Sequence, residues 1–248
     1  MATVVQVAAE RSIAAPAAKR RWRRDSVFYT GMALVCAAAV ITGFAPTYYL
    51  KGAFGGRPLS PLLHVHGLIF TSWIVLFVVQ TTLVASHRTD IHRRLGLAGG
   101  IIAVLMVVVG FLAAVDSARR GFSPVGAPPP LVFLAIPVFM VVVFGILVGA
   151  ALYYRRQSAT HKRLMLLATI SIITPAIARI PLFSGGPPVF FGITDLLIIA
   201  CLVYDKVANG RVHRAFALGA LFVILSQPLR ILIGFSGPWQ TFAAWLTR

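Results

Sequence analysis

Seven apolar stretches follow one another along the chain, each long enough to cross a lipid bilayer as a helix. They cover approximately residues 27–49, 61–85, 95–118, 129–154, 161–183, 188–208 and 213–235. Because a helix rises about 1.5 Å per residue, about 20 apolar residues span the roughly 30 Å hydrocarbon core. The pattern predicts an all-α fold, a polytopic membrane bundle of about seven transmembrane helices that forms a single domain over residues 25–248.

The second stretch carries a polar residue or Trp at every seventh position: His66, Trp73, Gln80 and His87. Seven residues are close to two helical turns, so these side chains drift by only about 20° per step and share one stripe. Polar groups that face lipid are costly, and the stripe is therefore predicted to face protein or a cavity. Trp73 and Gln80 suit buried packing and an interhelical hydrogen bond, or else they orient a quinone-like aromatic ligand.

Composition agrees with a membrane protein, because 58% of the residues are hydrophobic and the mean hydropathy is +0.87. Sixteen of the 23 Lys and Arg residues fall in the amino-terminal arm and in the second, fourth and sixth loops. Cytoplasmic loops retain such cations, so the amino terminus is predicted inside and the carboxyl terminus outside. The cations of the arm and of the outer loops include Arg11, Lys19, Arg20, Arg21, Arg23, Arg24, Lys51, Arg57, Arg119, Arg120 and Arg248.

The net charge of +17 raises the question of a nucleic-acid partner. We predict none, because the cations lie in short juxtamembrane loops, where the bilayer's anionic head groups are their counter-charges. Residues 1–24 lack a packable apolar pattern and are predicted to form a mobile, basic cytoplasmic arm.

Histidines gather near the predicted inner boundary, where His87, His92, His161 and His213 lie close to helix ends. Neutral imidazole binds iron, copper and zinc, and two imidazoles that face each other across a bundle form a haem site. These histidines, with His66, Trp73 and Gln80 of the stripe, are the candidate cofactor-binding residues. His92, His161 and His213 are also the candidate metal ligands. The alternative is that each histidine only anchors a helix end in the head-group layer.

Near the predicted outer boundary, two arginines and one carboxylate come from separate helices. Arg179, Arg230 and Asp195 form this set, and Gln227 lies on the same helical face as Arg230. Two arginines near one carboxylate leave a positive surplus that suits an anionic ligand such as a carboxylate, a phosphate or haem propionates. The alternative is that both arginines extend to the head groups and Asp195 only holds helices together. No recognised catalytic motif is present, so the catalytic residues stay unknown.

These motifs resemble those of a family of uncharacterised bacterial multi-pass membrane proteins. The resemblance covers roughly residues 60–180 and rests on His64-Val65-His66-Gly67, Trp73, Gln80, His87-Arg88, His92-Arg93-Arg94-Leu95-Gly96 and His161-Lys162-Arg163-Leu164-Met165. It implies a bacterial cytoplasmic (inner) membrane. The chain is more distantly similar to oxidase-assembly and haem-binding membrane proteins. It departs from the bis-histidine cytochromes because its inner histidines cluster at helix starts rather than forming matched pairs inside the bundle.

Three functional hypotheses follow. The first is an inner-membrane protein that binds haem or another redox ligand in a respiratory or haem-linked role, with a membrane partner from the respiratory chain. The second is a transporter or channel for a small anion, with Arg179, Arg230 and Asp195 as its gate. The third is a ligand-free membrane scaffold or assembly factor whose histidines are anchors.

Overall fold

A computed structural model of the chain describes residues 2–55, 58–124, 126–183 and 185–248, with side chains from Trp22 onward. Every regular element in these ranges is helical. The helices are α1 (Ala2–Phe44), α2 (Lys51–Phe54), α3 (Pro61–Ala85), α4 (Thr89–Arg119), α5 (Pro130–Phe133), α6 (Ala135–Tyr153), α7 (Ser158–Ser171), α8 (Thr174–Ile177), α9 (Pro187–Asn209), α10 (Arg214–Phe235) and α11 (Gly237–Leu246). The side chains of Arg11, Lys19, Arg20 and Arg21, and all of Arg57, lie outside the described residues. The mobile arm over residues 1–24 stays a prediction.

Six segments of the described chain are long and apolar enough to cross a membrane. They are Trp22–Tyr49, Pro61–Ala85, Thr89–Arg119, Pro130–Tyr153, Pro187–Asn209 and Arg214–Phe235. Large apolar side chains point outward from these segments, including Leu68, Val104, Leu196 and Leu218. A surface of this kind suits acyl chains rather than water. The all-α fold is confirmed, and the six segments indicate an integral membrane protein that crosses the bilayer several times.

The fifth predicted span, residues 161–183, is two short helices rather than one. The first, α7, has 14 residues and is about 21 Å long, too short to cross alone. The chain then breaks after Ser171 and resumes as α8, with Pro175 in the first turn, where its missing N–H costs nothing. Both ends of the α7–α8 segment contact α1. Lys162 of α7 pairs with Asp25, and Ala176 of α8 packs against Gly43. The α7–α8 segment therefore runs beside α1 over most of its apolar length.

The two ends of the bundle can be told apart by their contacts. One end, which we call the basic-loop face, holds the connections 86–88, 154–157 and 210–213. There His92 of α4 faces His161 of α7, and the His213 backbone N–H donates to Asp205, the ion-pair partner of Arg163 in α7. At the other end, the opposite face, Gly126 approaches Gly186 and Arg119 donates to the carbonyl of Leu246 in α11. The sequence predicts the basic-loop face to be cytoplasmic, and that orientation stays a prediction.

The core lies where α7 is surrounded by α1, α3, α6, α9 and α10. Leu166, Leu167, Ala168 and Ile170 of α7 are fully buried, and Phe216 of α10 is buried with them. Unlike the outward-facing helices, α7 has its apolar side chains covered by protein instead of lipid. This explains how so short a helix is held at the centre of the bundle.

Candidate functional site

A cavity of about 560 Å³ lies in the half of the bundle near the opposite face. Its walls come from α1, α3, α4, α6, the α7–α8 break and the start of α9. Most lining residues are apolar, such as Phe70, Met140 and Phe191. Residues of two connections near the opposite face, among them Ala127 and Gly186, also line the cavity. Its size is within the 300–1,000 Å³ range usual for small-molecule sites.

His66 brings an imidazole from α3 to this cavity. Its ring centre lies 4.1 Å from that of Phe70, one turn further along the helix. Its Nδ1 is buried and has no hydrogen-bond partner among the described residues. A buried polar atom without a partner costs about 1–3 kcal/mol, so this nitrogen is available to a ligand that can satisfy it.

Arg179, just after α8, is the one Lys or Arg among the described residues that line the cavity. One guanidinium nitrogen donates to the Pro175 carbonyl at 2.7 Å, and the group lies 4.6 Å above the Phe44 ring. Arg179 forms no ion pair with any carboxylate in the described parts of the chain. The cavity therefore combines apolar walls with the exposed guanidinium of Arg179, which no carboxylate of the described residues neutralises.

Hydroxyl groups supply the remaining polarity of the cavity. A π-helical turn, Ala45–Tyr49, follows α1 and directs Tyr48 and Tyr49 to the cavity wall. The Tyr49 hydroxyl and the Thr71 hydroxyl are 2.8 Å apart, and Tyr48 donates to the His64 carbonyl at 3.2 Å. Such π-helical turns are frequent at functional sites.

The other residues of the predicted outer set do not line the cavity. Gln227 donates to Asp195 at 2.8 Å, which joins α10 to α9. Arg230 is buried and donates to Ser226 at 2.7 Å on its own helix. The structure therefore separates Arg179 from Arg230, Asp195 and Gln227, and one anion site made of all four is not formed.

At the basic-loop face, the structure brings His92 of α4 and His161 of α7 together, with ring centres 6.3 Å apart. The Nδ1 of His161 lies 2.8 Å from the Ala151 carbonyl oxygen, and Gln80 of α3 donates to the His92 carbonyl at 3.2 Å. Trp73, further along α3, is buried and donates to the Thr169 hydroxyl of α7 at 3.3 Å. His66, Trp73 and Gln80 thus contact the cavity or neighbouring helices, as the stripe predicts.

His87 and His213 lie apart from that pair. His87 follows the end of α3 in a left-handed conformation, φ 59°, and its ring stacks on Trp22 at 3.8 Å. His213 caps α10, because its Nδ1 accepts from the backbone N–H of Ala215 at 3.1 Å. Burial and the nearby Arg163 charge lower the pKa of His213, which keeps this nitrogen an acceptor. Three His, Cys, Asp or Glu side chains suited to one metal ion do not come together anywhere in the described chain.

Sequence reasoning missed a charged network beside these histidines. Arg163 and Asp205 form a buried ion pair, and Asp205 also accepts from Asn209 at 2.8 Å and from the His213 backbone N–H at 2.6 Å. Asp25 pairs with Lys162 at 2.5 Å and accepts from the Tyr204 hydroxyl. The available signal was the scarcity of acids, since the chain has 6 acidic residues and 23 basic ones. Each carboxylate near a helix end was therefore a candidate partner for a basic residue.

Comparisons with known proteins found no match for this chain. No protein-family model matches the chain, and no curated protein or solved structure shows significant similarity to it.

Proposed function

We propose that this protein binds a redox-active amphiphile of the haem or quinone class in the cavity of His66 and Arg179. The observation that carries the proposal is an apolar cavity of about 560 Å³ whose one positive charge has no carboxylate partner among the described residues. An apolar ligand body fits the walls, and its acidic or carbonyl end would complete the hydrogen bonding of Arg179 and His66. The role would be respiratory or haem-linked, in a bacterial inner membrane.

The residues present fit haem. His66 would hold the iron, because its imidazole Nδ1 is buried and unpartnered in the described structure and imidazole nitrogen is a common ligand of haem iron. Arg179 would donate to a propionate, since guanidinium binds carboxylate through two parallel hydrogen bonds. Bound haem supplies one-electron chemistry. For a quinone, His66 and Arg179 would instead hold the carbonyl oxygens, and the cavity walls would exclude water from the ring.

Small-anion transport receives less support. That hypothesis needs Arg179, Arg230 and Asp195 along one route, whereas only Arg179 lines the cavity. A ligand-free scaffold leaves unexplained why Arg179, exposed and without a carboxylate partner among the described residues, lies at the wall of an apolar cavity. Ligand binding therefore accounts for more of the geometry than either alternative.

The topology proposed with this function has seven crossings, with α7 and α8 together making the fifth. The basic-loop face would be cytoplasmic, so the amino terminus lies inside and the carboxyl terminus outside. Anionic head groups would then contact the basic loops. The cavity would open in the outer half of the bilayer, where a partner from the respiratory chain could exchange electrons with its ligand.

Purification in mild detergent tests the proposal. We expect either a Soret absorbance band or one quinone per chain in an organic extract analysed by mass spectrometry. Arg179→Gln should lower occupancy about 10- to 100-fold, because a charge-assisted hydrogen bond contributes about 1.5–3 kcal/mol. His66→Ala should lower occupancy as well, and for haem it should also shift the absorbance band.

The matched control is Arg120→Gln, because Arg120 is exposed, lies at the same face and pairs with Asp116 rather than facing the cavity. Its occupancy should equal that of the wild type. A protein without chromophore or bound quinone would refute the proposal, and so would full occupancy in the Arg179→Gln and His66→Ala double variant.

A further inference from the structure

The pair of His92 and His161 lies at the basic-loop face and does not line the cavity described above. Three helices meet at this pair, because Gln80 of α3 contacts His92 of α4, which faces His161 of α7. From this convergence we infer a second binding site, in which His92, His161 and Gln80 hold a single copper or zinc ion. The site is independent of the function proposed for the cavity.

The distance between the rings suits one bridging metal ion. A metal–nitrogen bond of about 2.0 Å places the ion about 3.1 Å from each ring centre. Two rings on one ion are then about 6 Å apart when the two bonds are collinear and about 5 Å apart at a tetrahedral angle. The observed separation is 6.3 Å. It therefore equals the value for two collinear bonds, and the site with a third ligand requires the rings to close by about 1 Å.

Hydrogen bonding leaves a ligand atom available on His161. Its Nδ1 lies 2.8 Å from the Ala151 carbonyl, which can only accept, so Nδ1 carries the proton and donates. The Nε2 lone pair is then available for a metal. This is the arrangement found at most metal-binding histidines, in which a backbone carbonyl or carboxylate fixes the ring through its other nitrogen.

His92 and Gln80 each present a buried atom that the described protein does not satisfy. These atoms are Nδ1 of His92 and Oε1 of Gln80. The Gln80 amide is held next to His92, because its nitrogen donates to the His92 carbonyl at 3.2 Å. Each such atom costs about 1–3 kcal/mol, and in the inferred site one metal ion satisfies both.

The ligand chemistry selects the metal. Imidazole nitrogen binds copper and zinc well, whereas magnesium and calcium prefer carboxylate and carbonyl oxygens. The described chain places no third His, Cys, Asp or Glu beside the pair. The third ligand would therefore be the Gln80 amide oxygen or a water molecule, and His213 of the predicted metal set would not take part.

The test uses the full chain, purified without metal. One sample is titrated with zinc ions and another, under reducing conditions, with copper(I) ions, each against a competing chelator. We expect one ion per chain, with imidazole ligands in the X-ray absorption spectrum. His92→Ala and His161→Ala should each weaken binding more than about 100-fold, because even partners outside the ligand shell contribute 10–100-fold. Gln80→Ala should have a smaller effect.

His87→Ala is the matched control, since His87 belongs to the same face but stacks on Trp22. The His87→Ala variant should bind the ion as the wild type does. The His66→Ala variant, which alters the cavity and not this site, should also bind the ion normally. Gel filtration of every variant checks that it folds, and His161→Gln replaces His161→Ala if the latter aggregates. Lack of stoichiometric binding, or binding retained in the His92→Ala and His161→Ala double variant, would refute the site. Neither result would alter ligand occupancy of the cavity.

Discussion

Replacing Asp205 by Ala is expected to destabilise the protein by about 3–5 kcal/mol, the usual result of removing one partner of a buried ion pair. The side chains of Arg163 and Asp205 are 3% and 0% exposed. Removing the carboxylate would leave the buried guanidinium without its charge partner. The cost arises mainly from the stranded charge, because an intact buried pair often contributes little net stability.

Asp205 also connects more of the fold than a single ion pair would. Its carboxylate accepts from Arg163 of α7, from Asn209 of α9 and from the His213 backbone N–H at the start of α10. Arg163 in turn donates to the Ala159 carbonyl at 2.6 Å and lies 5.4 Å from the Phe216 ring centre. Loss of the carboxylate should therefore loosen the α9–α10 connection as well as α7.

Asp116→Ala is the matched control, because it removes an Asp–Arg pair of the same kind from the surface. The side chains of Arg120 and Asp116 are 43% and 34% exposed, and exposed pairs contribute about 0–1 kcal/mol. Unfolding of both variants in mixed micelles, followed by circular dichroism, gives the comparison. Equal loss of stability in the two variants would show that burial does not govern the Arg163–Asp205 pair.

The extent of the apolar helices could be predicted from the sequence, because length and hydropathy decide which segments cross a bilayer. The predicted span 61–85 coincides with α3, and 213–235 differs from α10 by one residue. The inward orientation of Trp73 and Gln80 could also be predicted, because polar side chains within a membrane span avoid lipid and face neighbouring helices. His87 left the stripe because α3 ends at Ala85.

The break in the fifth span could not be located in the same way. Pro175 and Pro228 occupy similar places in the fifth and seventh stretches, and a proline within a helix removes one backbone donor and favours a bend. The chain interrupts its helix before Pro175, whereas α10 continues through Pro228. Surrounding protein stabilises the broken segment, since α7 is the most enclosed of the helices, and this enclosure depends on contacts between distant parts of the chain.

The candidate sites, too, could be predicted only in part. Sequence reasoning selected His66 and Arg179, and the cavity that joins them is a product of helix packing. It also grouped Arg179 with Arg230 because both lie near the same end of the bundle. Depth in a membrane follows from position along a helix, but the direction of a side chain around the bundle does not. Arg230 consequently belongs to α10 and its neighbours rather than to the cavity.

Gly43 is the position where the smallest substitution should have a large effect. Gly43 of α1 packs against α8, and a Cβ placed there would overlap the Ala176 carbonyl oxygen and lie 2.7 Å from the carbonyl carbon. Backbone cannot move aside as a flexible side chain can, so Gly43→Ala must separate α1 from α8. Overpacking costs about 1–3 kcal/mol, occasionally more, and we expect about 3 kcal/mol here.

The same substitution should also reduce ligand occupancy of the cavity. Phe44 follows Gly43 and lies beneath the Arg179 guanidinium, which is anchored to the Pro175 carbonyl of α8. Moving α8 away from α1 would therefore displace the one cation of the described lining. Gly31→Ala on the same helix is the control: nothing lies within 4 Å of its added Cβ, so it should stabilise α1 by about 0.5–1 kcal/mol and leave occupancy unchanged. If Gly43→Ala bound ligand fully and unfolded like Gly31→Ala, the close approach of α1 and α8 would not hold the cavity together.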